Sequence, residues 1–425
     1  MKVAFYTLGC KLNQAETESL ADRFSKAGFQ LVSPGDGADI YIANTCTVTH
    51  IADRKSRHWL RLARRRNPQA IIIATGCYAQ RDRQELAKLA DFVVDNREKE
   101  HLLALTQTLS LEGRGLGEGE KKQSPILTTT VRTRSLIKIQ DGCHSPCTYC
   151  IVPKVRPHEY SLPASQIIDE VKQKVALGYK EVVLTGTKVG SYKDDGTNFK
   201  DLVQRILTST GIERLRLSSL QPSEISSEFL ALWQDEKLCR HFHLAMQSGS
   251  ETVLQRMRRS YSLDQYQRTV TLIKEMIPDA AITTDIMVGF PAESDEEFEQ
   301  SYSFCQQAGF ANIHVFPYSP RPKTAAAGMP EQLKDKVKQE RNQLMLELSR
   351  SCRRSFCEQF LGQTTPVLWE KETSPGSSIY SGLTGNYIRV FTHSEKPLSN
   401  EITHVKLAEF HNQGMWGEMA DENPG

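Results

Sequence analysis

"SLIKIQDGCHSPCTYC", residues 135–150, decides how the rest of the chain is read. Its first six residues form an apolar strand candidate, and three cysteines follow at once. Cys143, Cys147 and Cys150 have three and then two residues between them. Three thiolates are one short of a closed tetrahedral zinc site. A zinc ribbon needs a second cysteine pair nearby, which does not follow, although His144 and His158 remain candidate fourth ligands. Thiolate-rich sites also suit iron–sulfur clusters, which ordinarily take four cysteines. A cluster held by three keeps one iron open for an outside ligand.

Working outward, "EVVLTG", "RLRLSS", "HFHLAMQ", "AITTDIMVGF" and "NIHVFPY" are further strand candidates with helical patterns between them. About six strand–helix units fit a partial barrel better than a full eight-unit one. Upstream, "KVAFYTLGC", "ADIYIANTC", "AIIIATGC" and "DFVVDN" alternate with helical stretches, which implies a mostly parallel α/β sheet. The expected domains are 1–106, a Gly/Ser-rich linker 107–130, the barrel with a long trailing helix at 131–359, and an all-β unit from 360 to 425.

Cys10, Cys46 and Cys77 each end a strand candidate, and in an open parallel sheet those ends share one edge. Their convergence on a second metal site outweighs three unrelated core thiols. The chain of 425 residues has 39% hydrophobic and 24% charged residues, a formal net charge of +2 and ten cysteines. Any pull on nucleic acid must therefore come from local patches. The sequence shows neither a signal peptide nor an apolar run long enough for a bilayer, so the expectation is a cytoplasmic protein, without a membrane partner. Cysteines in that compartment are not a disulfide framework. No Walker loop or HExxH motif supports nucleotide hydrolysis or metalloprotease chemistry.

"CHSPCTYC" resembles the CxxxCxxC loop of radical S-adenosylmethionine enzymes. "TLGCKLNQAETE", "NTCTVTHIADRKSR", "TGCYAQ", "LTGTKVGSY", "RLSSLQP", "MQSGSETVLQRMRR" and "MVGFPAESDEEFEQ" stand in the order found in methylthiotransferases, closest to those acting on tRNA N6-threonylcarbamoyladenosine. The resemblance implies a 4Fe-4S cluster and S-adenosylmethionine on Cys143, Cys147 and Cys150, and a second 4Fe-4S cluster on Cys10, Cys46 and Cys77. It implies cofactor contacts from Tyr149, Gly186, Thr187, Ser218, Ser219 and Gln247, and a TRAM-like RNA-binding C-terminal domain. The implied product carries sulfur and a methyl group on carbon 2 of the adenosine at position 37, beside the anticodon. Implied partners are tRNA, a sulfur donor and an electron donor such as flavodoxin or ferredoxin. Sibling substrates are isopentenyladenosine in tRNA and an aspartate of a ribosomal protein; a third reading is a non-catalytic, metal-stabilised RNA-binding protein.

For RNA contact the candidates are Arg54, Lys55, Arg57, Arg61 and Arg64 on a basic helix, and Tyr380, Tyr387 and Arg389 in the β unit. "SDEEFEQ" spaces Ser294 and Glu297 as a capping box, a structural role. One departure from the family pattern lies in "IVPKVRPHEYSLP": Arg156 is present, but Pro157 stands where Gly is expected, and Tyr160 and Leu162 replace two arginines.

Overall fold

Five parallel strands open the chain: β1 (Lys2–Thr7), β2 (Gln30–Val32), β3 (Ile40–Thr45), β4 (Ile71–Gly76) and β5 (Phe92–Val93). The computed structural model describes residues 1–113 and 133–419. The strand order is β2-β1-β3-β4-β5, so the order reverses between β1 and β3. Such a switch point leaves a crevice beyond the carboxyl ends of the strands, where ligands of open α/β sheets bind. Helix α1 (Lys11–Lys26) follows β1, α2 (His50–Arg66) follows β3, and the short α3 (Cys77–Arg81) follows β4. Cys10 is the N-cap of α1, so that helix begins five residues earlier than "ETESLADRFSKAGF" proposes. Leu12, Ala15, Leu20 and Phe24 bury its inner face. On the sheet, Trp59 of α2 stacks on Tyr6 at 4.4 Å.

The expected linker is shortened at its start. A Leu-rich helix runs Leu102–Gly113, with Leu102 buried among Val3, Ile40 and Ile73. Residues 107–113 are thus helical, and the rest of that linker lies outside the described residues.

Six parallel strands make the central partial barrel: β6 (Arg134–Lys138), β7 (Glu181–Thr185), β8 (Arg214–Leu217), β9 (His241–Leu244), β10 (Ala281–Val288) and β11 (Asn312–Pro317). Ser219–Leu220 carries β8 across to β9. Strand periodicity sends alternate residues to opposite faces. Val182, Leu184, Leu215, Leu217, Phe242 and Leu244 face outward into the apolar core beneath the helices. On the alternate positions stand Glu181, Arg216, His243, Thr283, Asp285 and His314. A lumen this polar is a binding cavity rather than the layered Val/Ile/Leu core of a closed barrel. Helix α1 lies against β6, and Glu16 and Glu18 reach β6 through Lys138 Nζ and the Leu136 amide.

The capping box at Ser294 is present, with the Glu297 amide donating to Ser294 Oγ and the Ser294 amide to Glu297. The helix Asp335–Glu358 packs on β11. After it comes a closed five-stranded barrel: β12 (Thr364–Glu372), β13 (Ile379–Thr384), β14 (Arg389–His393), β15 (Ile402–His411) and β16 (Gly414–Met419). This barrel covers the amino-terminal mouth of the central one. Arg214 donates to Leu383 O at 2.9 Å, Arg216 to Thr384 O and Gly385 O, and Arg134 to Glu370 at 2.6 Å. The Arg216 and Glu181 side chains are fully buried as an ion pair at 2.8 Å. Among the described residues no helix is long and apolar enough to cross a membrane.

Candidate functional site

Thr45 pairs with Gly76 in the β3–β4 ladder, so Cys46 and Cys77 leave adjacent strands at the same level. Cys10 sits on the other side of β3, across the switch point. A side chain on Gly9 would place its Cβ 2.9 Å from Cys46 Cβ and 3.1 Å from its sulfur, so the two loops touch. Cys46 and Cys77 are buried and Cys10 is exposed. Burial pushes the Cys46 thiol up to about 12, with smaller contributions from the Cys77 and Cys10 sulfurs, against the Val48 amide.

The second triad leaves the Gln140–Asp141 segment just beyond β6. Burial likewise pushes Cys150 up to about 12, with Cys147 and Cys143 adding to it. Such thiols ionise only when a cation joins them. Arg259, from "MRRS", donates to Cys147 Sγ and to Tyr149 Oη, each at 3.3 Å. Among the described residues no three His, Cys, Asp or Glu side chains are grouped so as to hold a single metal ion. Thiolate-rich sets of this kind suit iron–sulfur clusters. His144 is exposed, its Nε2 2.7 Å from Pro157 O, which ties it across the loop.

Three of the six cysteines, Cys10, Cys77 and Cys143, follow a glycine of positive φ: Gly9 at +112°, Gly76 at +98° and Gly142 at +77°. A Cβ on Gly142 would lie 1.9 Å from His158 O, and one on Gly76 2.3 Å from Thr45 O. Left-handed backbone disfavours other residues by about 1–2 kcal/mol, before any clash. Gly142→Ala is therefore expected to cut iron bound per chain at the Cys143 loop by about half and to lower stability by at least about 2 kcal/mol; iron analysis and urea unfolding check both.

The triads belong to one site. Cys77 packs with Ile151 and Val155, directly after Cys150. Arg156 fastens the two halves: it is 5% exposed and donates to Asp141 at 2.7 Å, to Glu16 at 2.8 Å and to Asn13 at 2.9 Å. Burial opposes its charge, yet Lys99, Arg156 and Lys138 hold the Glu16 carboxyl well below the usual range. Around the departure at 157–162, Tyr160 takes Lys138 over its ring at 5.2 Å and Leu162 packs on the core, so this stretch is held by its own contacts. Arg321, 1% exposed, joins the barrel to Asp53 and Thr47 beside Cys46.

At the carboxyl ends of the barrel strands, Thr187 Oγ1 and Ser218 Oγ are buried without a partner in the protein. Gly186 passes Gln140 so closely that a Cβ would sit 2.8 Å from its carbonyl oxygen. Gln247 has φ +75° and is pinned between Asp285 and Met287 by backbone hydrogen bonds. Orphaned hydroxyls of this kind call for a polar ligand. Tyr149 packs on the Val253–Phe290 cluster, and Ser219 is exposed.

Residues 2–95 match the Uncharacterized protein family UPF0004 and residues 137–305 the Radical SAM superfamily. A threonylcarbamoyladenosine tRNA methylthiotransferase of Aquifex aeolicus is 39% identical, covering 92% of this chain and 96% of that protein. The chain belongs to the radical S-adenosylmethionine methylthiotransferase family. A Bacillus subtilis member of the same description is 36% identical over 99% of the chain and 97% of that protein. A tRNA-2-methylthio-N(6)-dimethylallyladenosine synthase of Syntrophotalea carbinolica is 31% identical over 98% of the chain and 99% of that protein. In fold, a radical S-adenosylmethionine methyltransferase of Kitasatospora setae superposes with a TM-score of 0.55, covering 77% of this chain and 74% of that one at 14% identity. As a family member the protein is an enzyme, a transferase, and the family implies a 4Fe-4S cluster and S-adenosylmethionine, which Cys143, Cys147, Cys150 and the orphaned hydroxyls fit.

Several sequence candidates are placed differently. Tyr387 stacks on His241 at 4.4 Å, with Arg216 4.9 Å from its ring, so it plugs the barrel mouth instead of facing RNA. Tyr380 is buried in the core of the C-terminal barrel. Arg389 is paired with Glu370 at 2.6 Å. Arg64 forks onto both oxygens of Asp91, and Arg57 donates to Tyr78 Oη at 2.6 Å. Of the basic helix, Arg54, Lys55 and Arg61 remain on the exposed face. Arg259, Arg321, Asn13 and Glu16 are site residues that motif reading missed. The only trace of Arg259 was its place at the end of a quoted block, and side-chain direction is not written in spacing.

Proposed function

We propose that this chain exchanges the hydrogen on carbon 2 of N6-threonylcarbamoyladenosine for a methylthio group, beside the anticodon of tRNA. The observation that carries the reading is the contact of the two cysteine triads through Cys77, Ile151 and Val155. A reaction that opens a C–H bond and delivers sulfur needs both functions at one carbon. Cys10, Cys46 and Cys77 are proposed to hold the second 4Fe-4S cluster. When bound, the clusters and S-adenosylmethionine supply the radical and the sulfur chemistry, which no acid or base on the chain provides for an unactivated C–H bond.

The protein's own share is binding and orientation. Thr187, Ser218 and Gln247 line the cofactor end of the lumen, and Arg259 fixes the cysteine loop through Cys147 and Tyr149. Around the other triad, Val48 and Ile51 are 51% and 55% exposed, with Arg54 and Lys55 next to them. An apolar and basic rim of this sort suits an unstacked base flanked by phosphates. The closed C-terminal barrel is consistent with a TRAM-type RNA-binding module. The test is mass spectrometry of nucleosides from tRNA incubated with reconstituted enzyme, S-adenosylmethionine, sulfide and a reductant. The proposal requires threonylcarbamoyladenosine to gain one methylthio group. Conversion of dimethylallyladenosine alone would assign the sibling activity.

A further inference from the structure

The helix Glu251–Arg256 ends in a turn with one residue in the left-handed region, Arg258 at φ +54°. The Arg258 amide donates to Gln255 O at 2.9 Å and the Arg259 amide to Leu254 O at 3.0 Å, a pairing that usually has glycine at the first position. A residue with a side chain adopts that backbone at a cost, and such outliers cluster at functional sites. The same helix end carries the cysteine loop. Thr148, between Cys147 and Tyr149, donates its amide to Met257 O and its hydroxyl to Arg256 O, each at 3.0 Å. Arg259 and Cys147 are thus held in register.

The Arg259 side chain is partly buried and fully engaged. Nε donates to Tyr261 Oη at 3.1 Å, Nη2 to Ala245 O at 3.3 Å, and Nη1 to Tyr149 Oη and Cys147 Sγ at 3.3 Å each. Tyr261 is itself anchored, with its hydroxyl 2.7 Å from the carbonyl oxygens of Ala245 and Met246. Among the described residues none of the acceptors of Arg259 is a carboxylate. Asp285, on the adjoining strand β10, lies 3.3 Å from His243 instead. Once a metal ionises the Cys147 thiol, that sulfur is the one anionic acceptor of Arg259 among the described residues.

We propose that Arg259, through its hydrogen bond to Cys147, makes the 4Fe-4S cluster on Cys143, Cys147 and Cys150 easier to reduce. The assignment rests on those three cysteines holding the cluster. Reduction adds one electron from a one-electron carrier protein, with no bond made or broken and no proton moved. The added negative charge spreads onto the thiolate ligands. A guanidinium donating to one of them therefore stabilises the reduced form more than the oxidised one. With no carboxylate on Arg259 to offset it, the full positive charge acts on that sulfur.

The experiment is a dithionite titration of the reconstituted full chain in the presence of redox mediators, followed by electron paramagnetic resonance. The signal of this cluster is the one that changes when S-adenosylmethionine is added to a parallel sample. At a fixed potential, Arg259→Met is expected to lower the ratio of reduced to oxidised cluster about tenfold, a midpoint shift of about 59 mV to more negative potential for one electron. Arg259→Lys keeps the charge and should recover most of the loss, whereas Arg259→Gln keeps only donors and should recover less. Iron per chain confirms that each variant is loaded. A wild-type midpoint in loaded Arg259→Met or Arg259→Gln protein overturns the inference alone. Loss of this cluster from both variants also overturns it and makes Arg259 a support of the loop. A wild-type chain that holds no 4Fe-4S cluster on this triad overturns the cofactor reading and the inference together.

Discussion

Arg156→Met is expected to lower folding stability by about 3–5 kcal/mol, because it strips the shared cation from buried carboxylates. Glu16 and Asp141 both depend on Arg156 at 2.7–2.8 Å, and Asn13 Oδ1 accepts from its other nitrogen. Lys99 and Lys138 stay on Glu16, so the loss belongs at the lower end of that range. The effect is not confined to stability. Asn13 donates to Leu8 O and Thr45 O, next to two of the cysteine loops, while Asp141 Oδ1 accepts from the Gly142 amide at the start of the third. Release of Arg156 therefore loosens both triads at once. Arg156→Lys should recover only part of the loss, because an ammonium cannot fork onto Asp141 and Glu16 while reaching Asn13. Urea unfolding curves and product yield on the same preparations check the two effects together.

Replacing Cys143, Cys147 and Cys150 together by alanine is expected to reduce product to background while leaving stem-loop RNA binding within about threefold of wild type. These thiols sit on a loop outside the strands, so their loss leaves the barrel ladder intact. The exposed rim at Val48, Ile51, Arg54 and Lys55, proposed above to meet RNA, belongs to a different domain. A loss of RNA binding equal to the loss of product would instead make the cysteine loop a structural support. Quantitative nucleoside analysis with fluorescence anisotropy separates the outcomes.

Much of this is legible in the sequence. Strand–helix alternation with cysteines at strand ends led directly to a parallel sheet and a common edge, because the carboxyl ends of such strands must share that edge. The glycine before Cys10, Cys77 and Cys143 was visible too, though the close approach it serves was not. What stayed hidden was side-chain direction between domains. Tyr387 and Arg389 read as RNA contacts because an aromatic beside a cation looks the same whether it faces solvent or a barrel mouth. Arg64 likewise read as a free cation until Asp91, 27 residues away, was seen to neutralise it. Arg156 counted merely as a surviving family residue, whereas its partners Asn13 and Glu16 come from 140 or more positions earlier. Long-range pairing of polar groups leaves no periodicity in a single sequence. Helical residues 107–113 were misread for a simpler reason: the Gly/Ser-rich run that follows them extended the apparent linker backward.

The most direct test of the two-triad account is iron and acid-labile sulfide per chain after anaerobic reconstitution, for wild type and for the Cys10→Ala/Cys46→Ala/Cys77→Ala protein. The account predicts about eight irons falling to about four, with 4Fe-4S absorption retained on the remaining cysteines. Four irons in both proteins, or zinc in place of iron, would contradict it.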